Sequence, residues 1–279
     1  MSRDLHSFIT VRFAGDPRCS LDKGLNRMNL SRRPLLGARC LLIALGLALL
    51  SAAAGAGTPT PHLQPEQGVF GFSLHHPYHI AVGRALFEEY QYRHCQALFL
   101  PSFQTESAVY ILRDDADQSD TATVVAVEMK TQLWGELMGF LEDEAQGSSH
   151  SIGFDAQQWA LASIRIEVRR LEAPIDAAAV DTLERAWDAM LVRARYPNET
   201  TIGLDGDNYH IANIKLGHGY WAGGVWSPRA GTPAHDLVEI AKTLREYPGM
   251  PVNELHLASA NMVTAAEQLL ARLKGPERE

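Results

Sequence analysis

The chain has 279 residues, 46% hydrophobic and 21% charged, an ordinary globular make-up that excludes collagen-like, mucin-like and wholly disordered readings. A net charge of −8 excludes general affinity for nucleic acid, because phosphate binding needs an excess of Lys and Arg. Three cysteines are too few for a disulfide scaffold.

The first element in chain order is a secretory signal. Met28 to Pro34 (MNLSRRP), with Arg39, forms a basic n-region. Cys40 to Leu50 (CLLIALGLALL) is an apolar h-region, and Ser51 to Gly57 (SAAAGAG) supplies the small residues of a cleavage site. The apolar run falls short of the roughly 20 residues a membrane-spanning helix needs, which favours cleavage near Ala56 or Ala54 over retention as an anchor. Met28 reads as the initiator, and residues 1–27 as an upstream extension. Ser31-Arg32-Arg33-Pro34 also resembles the twin-arginine export motif, so the export route is left open. Residues 1–56 hold eight basic and three acidic side chains, so the remainder carries 17 basic and 30 acidic ones and a net charge of −13. The expected address is periplasmic or secreted, with no stable membrane anchor after cleavage. An acidic exported chain suits a cationic partner or a divalent metal. Of the cysteines only Cys95 lies beyond the signal, in the apolar run Cys95 to Leu100, where burial is expected.

Residues 57–68 read as a Pro-rich polar linker, and 69–275 as one domain, with two subdomains divided near Gly147 as the alternative. Ile80 to Tyr92 predicts a short helix. Gln96 to Leu100, Ala108 to Leu112 and Thr121 to Met129 predict strands, the last two a hairpin around the acidic turn Asp114 to Asp120. Leu133 to Leu141 predicts a helix covering that sheet. Ile164, Ile166 and Val168 alternate with charged residues as in a half-exposed strand. Asp176 predicts the cap of a helix reaching Arg195, with Val180, Leu183, Trp187, Met190, Leu191 and Ala194 as its apolar stripe. Tyr209 to Leu216 and Tyr220 to Ser227 predict a hairpin around Gly217-His218-Gly219. Thr232-Pro233 opens a helix to Tyr247 whose stripe is Leu237, Ile240, Ala241 and Leu244. A last helix ends near Gly275. The expected fold class is α+β, a largely antiparallel sheet of hairpins packed by four to five helices.

The chemistry-bearing motifs are sparse. His75-His76-Pro77-Tyr78-His79 is the most metal-like cluster, but Pro77 argues against one continuous helix and no H-E-x-x-H is present. Asp115-x-Asp117-x-Ser119 starts like a calcium loop, then fails at Asp120 and Ala126, where the loop requires Gly and Glu. No G-x-S-x-G, S-x-x-K or Walker A pattern occurs, and strand alternation would point His94 and Cys95 to opposite faces. No catalytic residue is nominated and no cofactor is expected. The most distinctive stretch is Tyr196 to Tyr247, where Asp205, Asp207, Tyr209, Tyr220, Trp221 and Trp226 gather aromatics and acids beside glycines, as partner-binding surfaces often do. The competing reading packs the aromatics as core under the following helix.

Gly203-Leu204-Asp205-Gly206-x-x-Tyr209-His210 and Trp226-Ser227-Pro228, followed by the helix pattern from Leu237 to Leu244, resemble a pattern found in exported periplasmic proteins of proteobacteria. The resemblance covers about a fifth of the chain, implies export, and carries no activity.

These features point first to an exported, non-enzymatic protein that binds another protein, an acidic partner gaining association rate toward a basic one. An inhibitor or immunity protein against a secreted toxin or envelope hydrolase is the concrete version. A periplasmic metal-dependent hydrolase using His75, His76 and His79 is the alternative, and a structural envelope component is a third.

Overall fold

In the computed structural model, residues 62–66, 77–87, 92–113, 120–145, 154–196, 206–215 and 217–274 are described. The expected upstream extension (1–27), the expected signal (28–56), residues 114–119, Gly147, His75, His76 and Asp205 lie outside them. The described elements are β1 (Gln64–Pro65), α1 (Pro77–Leu86), β2 (Arg93–Pro101), β3 (Ser107–Leu112), β4 (Thr121–Met129), α2 (Leu133–Ala145), α3 (Phe154–Ser163), β5 (Val168–Asp176), α4 (Ala177–Leu191), β6 (Asp207–Lys215), β7 (Gly219–Trp226), α5 (Pro233–Glu246) and α6 (Val252–Lys274), with a 3-10 turn at Tyr247–Gly249. The seven strands form one antiparallel sheet in the order β1-β7-β6-β2-β3-β4-β5, an α+β fold.

The runs CQALFL, AVYIL and TATVVAV lack alternation because helices cover both faces of the middle strands. On one face Ala97, Phe99, Val109, Ile111, Val124, Ala173 and Ile211 pack under α4, α5 and α6, with Trp187 and Leu237 fully buried between layers. On the other, Leu98, Ala108, Tyr110, Val125 and Val127 meet Val82 and Leu86 of α1, Leu133 and Leu137 of α2 and Leu161 of α3. Among the described residues no helix is long and apolar enough to cross a membrane.

The α4 stripe is buried as its spacing predicts, apart from Ala194, which is partly covered. The helix ends at Leu191 rather than Arg195, because the Arg195 amide turns away to donate to the Leu63 carbonyl at 2.9 Å. Arg193 still serves the helix C-terminus, donating to the Ala189 carbonyl at 2.8 Å. Asp176 stands at the cap position, but its side chain makes no capping bond. Thr232 does cap α5, accepting from the His235 amide at 3.2 Å with Pro233 in the first turn.

Four local expectations are corrected. The strand expected at 164–168 begins at Val168 and runs to Asp176, with Leu171, Ala173 and Ile175 directed toward the α4–α6 face. Pro174 is tolerated because β5 is the edge strand, where a missing N–H interrupts no ladder. The first helix starts at Pro77 and stops at Leu86, since proline is well suited to a first helical position. The Phe154–Ser163 helix was not foreseen; its sequence has almost no amphipathic signal. Finally, part of the Pro-rich segment is an edge strand: Gln64 and Pro65 pair with Gly224 and Gly223, and Leu63 is fully buried.

One remote contact ties the second face together. Glu106, fully buried after β2, accepts from the Leu133 and Trp134 amides, each at 2.9 Å, and from the Tyr78 hydroxyl at 2.9 Å. It satisfies orphan donors in the first turn of α2 that no local side chain reaches. Burial and the adjacent Glu106 push the Tyr78 hydroxyl well above its ordinary range.

Candidate functional site

The β6–β7 hairpin carries Asp207, Tyr209, Tyr220, Trp221 and Trp226 of the residues singled out in the sequence, and strand alternation distributes them over both faces. Asp207, Tyr209 and Trp221 share the α4–α6 side, with Tyr209 opposite Val225 and Asn213 opposite Trp221. Trp226 and Tyr220 stand opposite Asn208 and Ile214, so they belong to the other side together with His210. The five described residues of the set therefore do not form one patch. Tyr209 is buried, whereas Tyr220, Trp221 and Trp226 are half-buried along the single strand β7.

Tyr209 is held on all sides. Its ring meets Phe99 edge-on, with centroids 5.8 Å apart, and its hydroxyl donates to Asp207 at 3.0 Å. Lys242 of α5 lies 5.4 Å from the ring centroid and pairs with Glu239 at 2.8 Å. Burial, then the bond to Asp207, raises the Tyr209 hydroxyl above its usual value despite the nearby ammonium. Burial works to lower Lys242, but Glu239 and Tyr209 outweigh it and the net direction is upward. One turn further along α5, Arg245 stacks on Phe99 at 4.6 Å and donates to the Ser107 hydroxyl at 3.1 Å. Register places Val225, Tyr209, Phe99, Ser107, Glu128 and Arg169 in one row across the sheet.

The outer side of β7 depends on glycine. A side chain on Gly224 would sit 2.1 Å from Glu66 Oε1, the space that lets Glu66 reach His210 Nδ1 at 2.6 Å. At the start of the hairpin a Cβ on Gly206 would lie 2.5 Å from Trp226 Nε1. Gly206 and Asp207 thus meet the WSP stretch in space: Ser227 Oγ accepts from the Asp207 amide at 2.9 Å. Trp221 contacts His218 edge-on, with centroids 6.5 Å apart.

The metal-like cluster is placed only in part. His79 lies in the first turn of α1 beside Tyr78, and among the described residues no group of three or more His, Cys, Asp or Glu could hold a metal ion. The expectation that His94 and Cys95 face oppositely fails. A β-bulge between His94 and Ala97, with Cys95 at φ 46°, brings Cys95 into the α4–α6 core, on the face where His94 meets Glu184 at 2.8 Å. Cys95 is nonetheless fully buried, and burial, followed by Glu184 and Asp188, pushes its thiol well above the ordinary range, as for an inert core residue.

Sequence reasoning missed Glu66, Phe99, Lys242 and Arg245. The Gly223-Gly224 pair was a usable sign of close approach on β7. For Arg245, one cation on an amphipathic helix, the sequence held no distinguishing signal. Comparison with known protein families, characterised proteins and solved structures gives no match to this chain.

Proposed function

We propose that this chain is an exported, non-enzymatic binding protein whose partner is another protein, with inhibition of a secreted toxin or envelope hydrolase as the concrete form. The observation that carries the reading is β7, the next-to-last strand of the sheet, flanked on its outer side by the two-residue β1. Tyr220, Trp221 and Trp226 line it half-buried, and among the described residues its outer side is met by β1 at Gly223 and Gly224 and by the Glu66 amide, which donates to the Ala222 carbonyl at 3.1 Å. Half-buried aromatics supply large contact area at low entropic cost, and a partly open strand edge offers backbone groups to an incoming segment. The acidic balance beyond the signal supports a basic partner, reached faster through electrostatic steering.

The test is affinity capture from a periplasmic extract with the wild-type chain and Trp221→Ala, followed by crosslinking from position 221. Capture of one basic protein, crosslinked at β7 and lost in Trp221→Ala, is expected. No capture, or capture indifferent to Trp221, would contradict the reading.

A further inference from the structure

On the α4–α6 face a cleft of about 440 Å³ opens beside the C-terminal end of α5, over β4 and the edge strand β5. Its apolar lining comes from Ala126, Leu171 and Met250, and its charged lining from Arg169, Arg245, Glu128 and Glu246. Arg245 is half-buried and fixed by Phe99 beneath its guanidinium and by the buried Ser107 hydroxyl. Among the described residues neither Arg245 nor Arg169 pairs with a carboxylate. That is unexpected in an acidic chain, and Arg169 lies directly across from Glu128 in the β4–β5 register without bonding to it. Arg245 uses one nitrogen on Ser107, leaving the rest of its planar donor fork for a ligand. A preorganised, partly desolvated guanidinium binds a carboxylate more strongly than a mobile surface cation does.

We propose that this cleft binds an apolar α-amino acid, free or as a short peptide carrying both termini. Arg245 and Arg169 take the carboxylate, Glu128 or Glu246 takes the ammonium, and the apolar side chain rests on Ala126, Leu171 and Met250. Opposed charges on one cleft fit a zwitterion better than a simple anion, which the glutamates would repel. The volume lies within the ordinary range for small-molecule sites, roughly 300–1,000 Å³. The inference is independent of the β7 partner surface.

Isothermal titration of the full chain with L-leucine, L-leucyl-L-leucine and N-acetyl-L-leucine tests it. Saturable binding of leucine or the dipeptide is expected, and the tighter of the two identifies the source of the zwitterion. Arg169→Gln, an exposed change that leaves the fold intact, should weaken binding about tenfold, and Arg245→Met by more, as charge-assisted bonds are lost. N-acetyl-L-leucine, lacking the ammonium, should bind at least about fivefold more weakly. Absence of saturable binding to all three compounds would overturn the proposal. So would affinities unchanged in both variants, or N-acetyl-L-leucine binding as tightly as leucine.

Discussion

On one face of the same sheet, charges under α4 and charges under α5 are arranged in opposite ways. Under α4 they are matched: Glu184 meets His94 and Arg113, Arg113 also meets Asp181, and Asp188 takes both Lys215 and the buried Asn213 amide. Asn213 in turn accepts from the Cys95 amide at 3.2 Å, so the network closes around the β2 bulge. Under the end of α5, Arg245 is as firmly positioned, yet it and Arg169 have no acid partner among the described residues. A matched, internally bonded cluster satisfies groups that folding has removed from water, and an unmatched, held cation is ready for something else. The first arrangement serves the fold, and the second serves binding.

Mutations separate the two. The largest effect belongs to Trp187→Ala under α4, where a fully buried indole that donates to the Gln96 carbonyl at 3.1 Å is lost. Chemical denaturation should show a loss of about 3–5 kcal/mol. Asp188→Ala strands the Asn213 amide and should cost about 2 kcal/mol in the same measurement. Equal losses from Asp188→Ala and Arg245→Met would erase the distinction.

Alkaline pH reads the bulge directly. The Cys95 thiol is raised by burial and by Glu184 and Asp188, so its stabilising contribution is complete below an ordinary thiol value near 9 and is lost as pH rises. Denaturation at pH 8, 9 and 10 should show stability falling by about 1 kcal/mol between the last two, and Cys95→Ala should flatten that decline. A slope unaltered by the substitution would place the alkaline sensitivity in the buried tyrosines. Arg245→Met should cost no more than about 1 kcal/mol, for one hydrogen bond and one ring contact, and Arg169→Gln less than about 0.5 kcal/mol.

The same contrast explains what the sequence could reveal. Periodicity located the α4 and α5 stripes because burial acts on local patterns, and continuous apolar runs, two of them joined by an acidic stretch, carried the central strands and the β3–β4 hairpin. Leu63 and Glu66 escaped because a Pro-rich neighbourhood hides an edge strand whose partners are about 160 residues away. Glu106 escaped for the same reason, capping a helix that starts 27 residues later. The hairpin aromatics were legible as residues but not as a surface: a period of two sends Tyr220 and Trp221 to opposite faces, and only register shows which. The cleft needed three segments, β4–β5, the end of α5 and the turn at Tyr247–Gly249, which no single stretch of sequence displays together.

The most direct test of the contrast is an amide chemical-shift map of the wild-type chain during titration with L-leucine. Saturable shifts confined to residues 126–128, 169–171 and 245–251, with 93–95, 113, 181–188 and 213–215 unmoved, are the predicted result. Shifts centred on the α4 cluster, or none at any concentration, would contradict it.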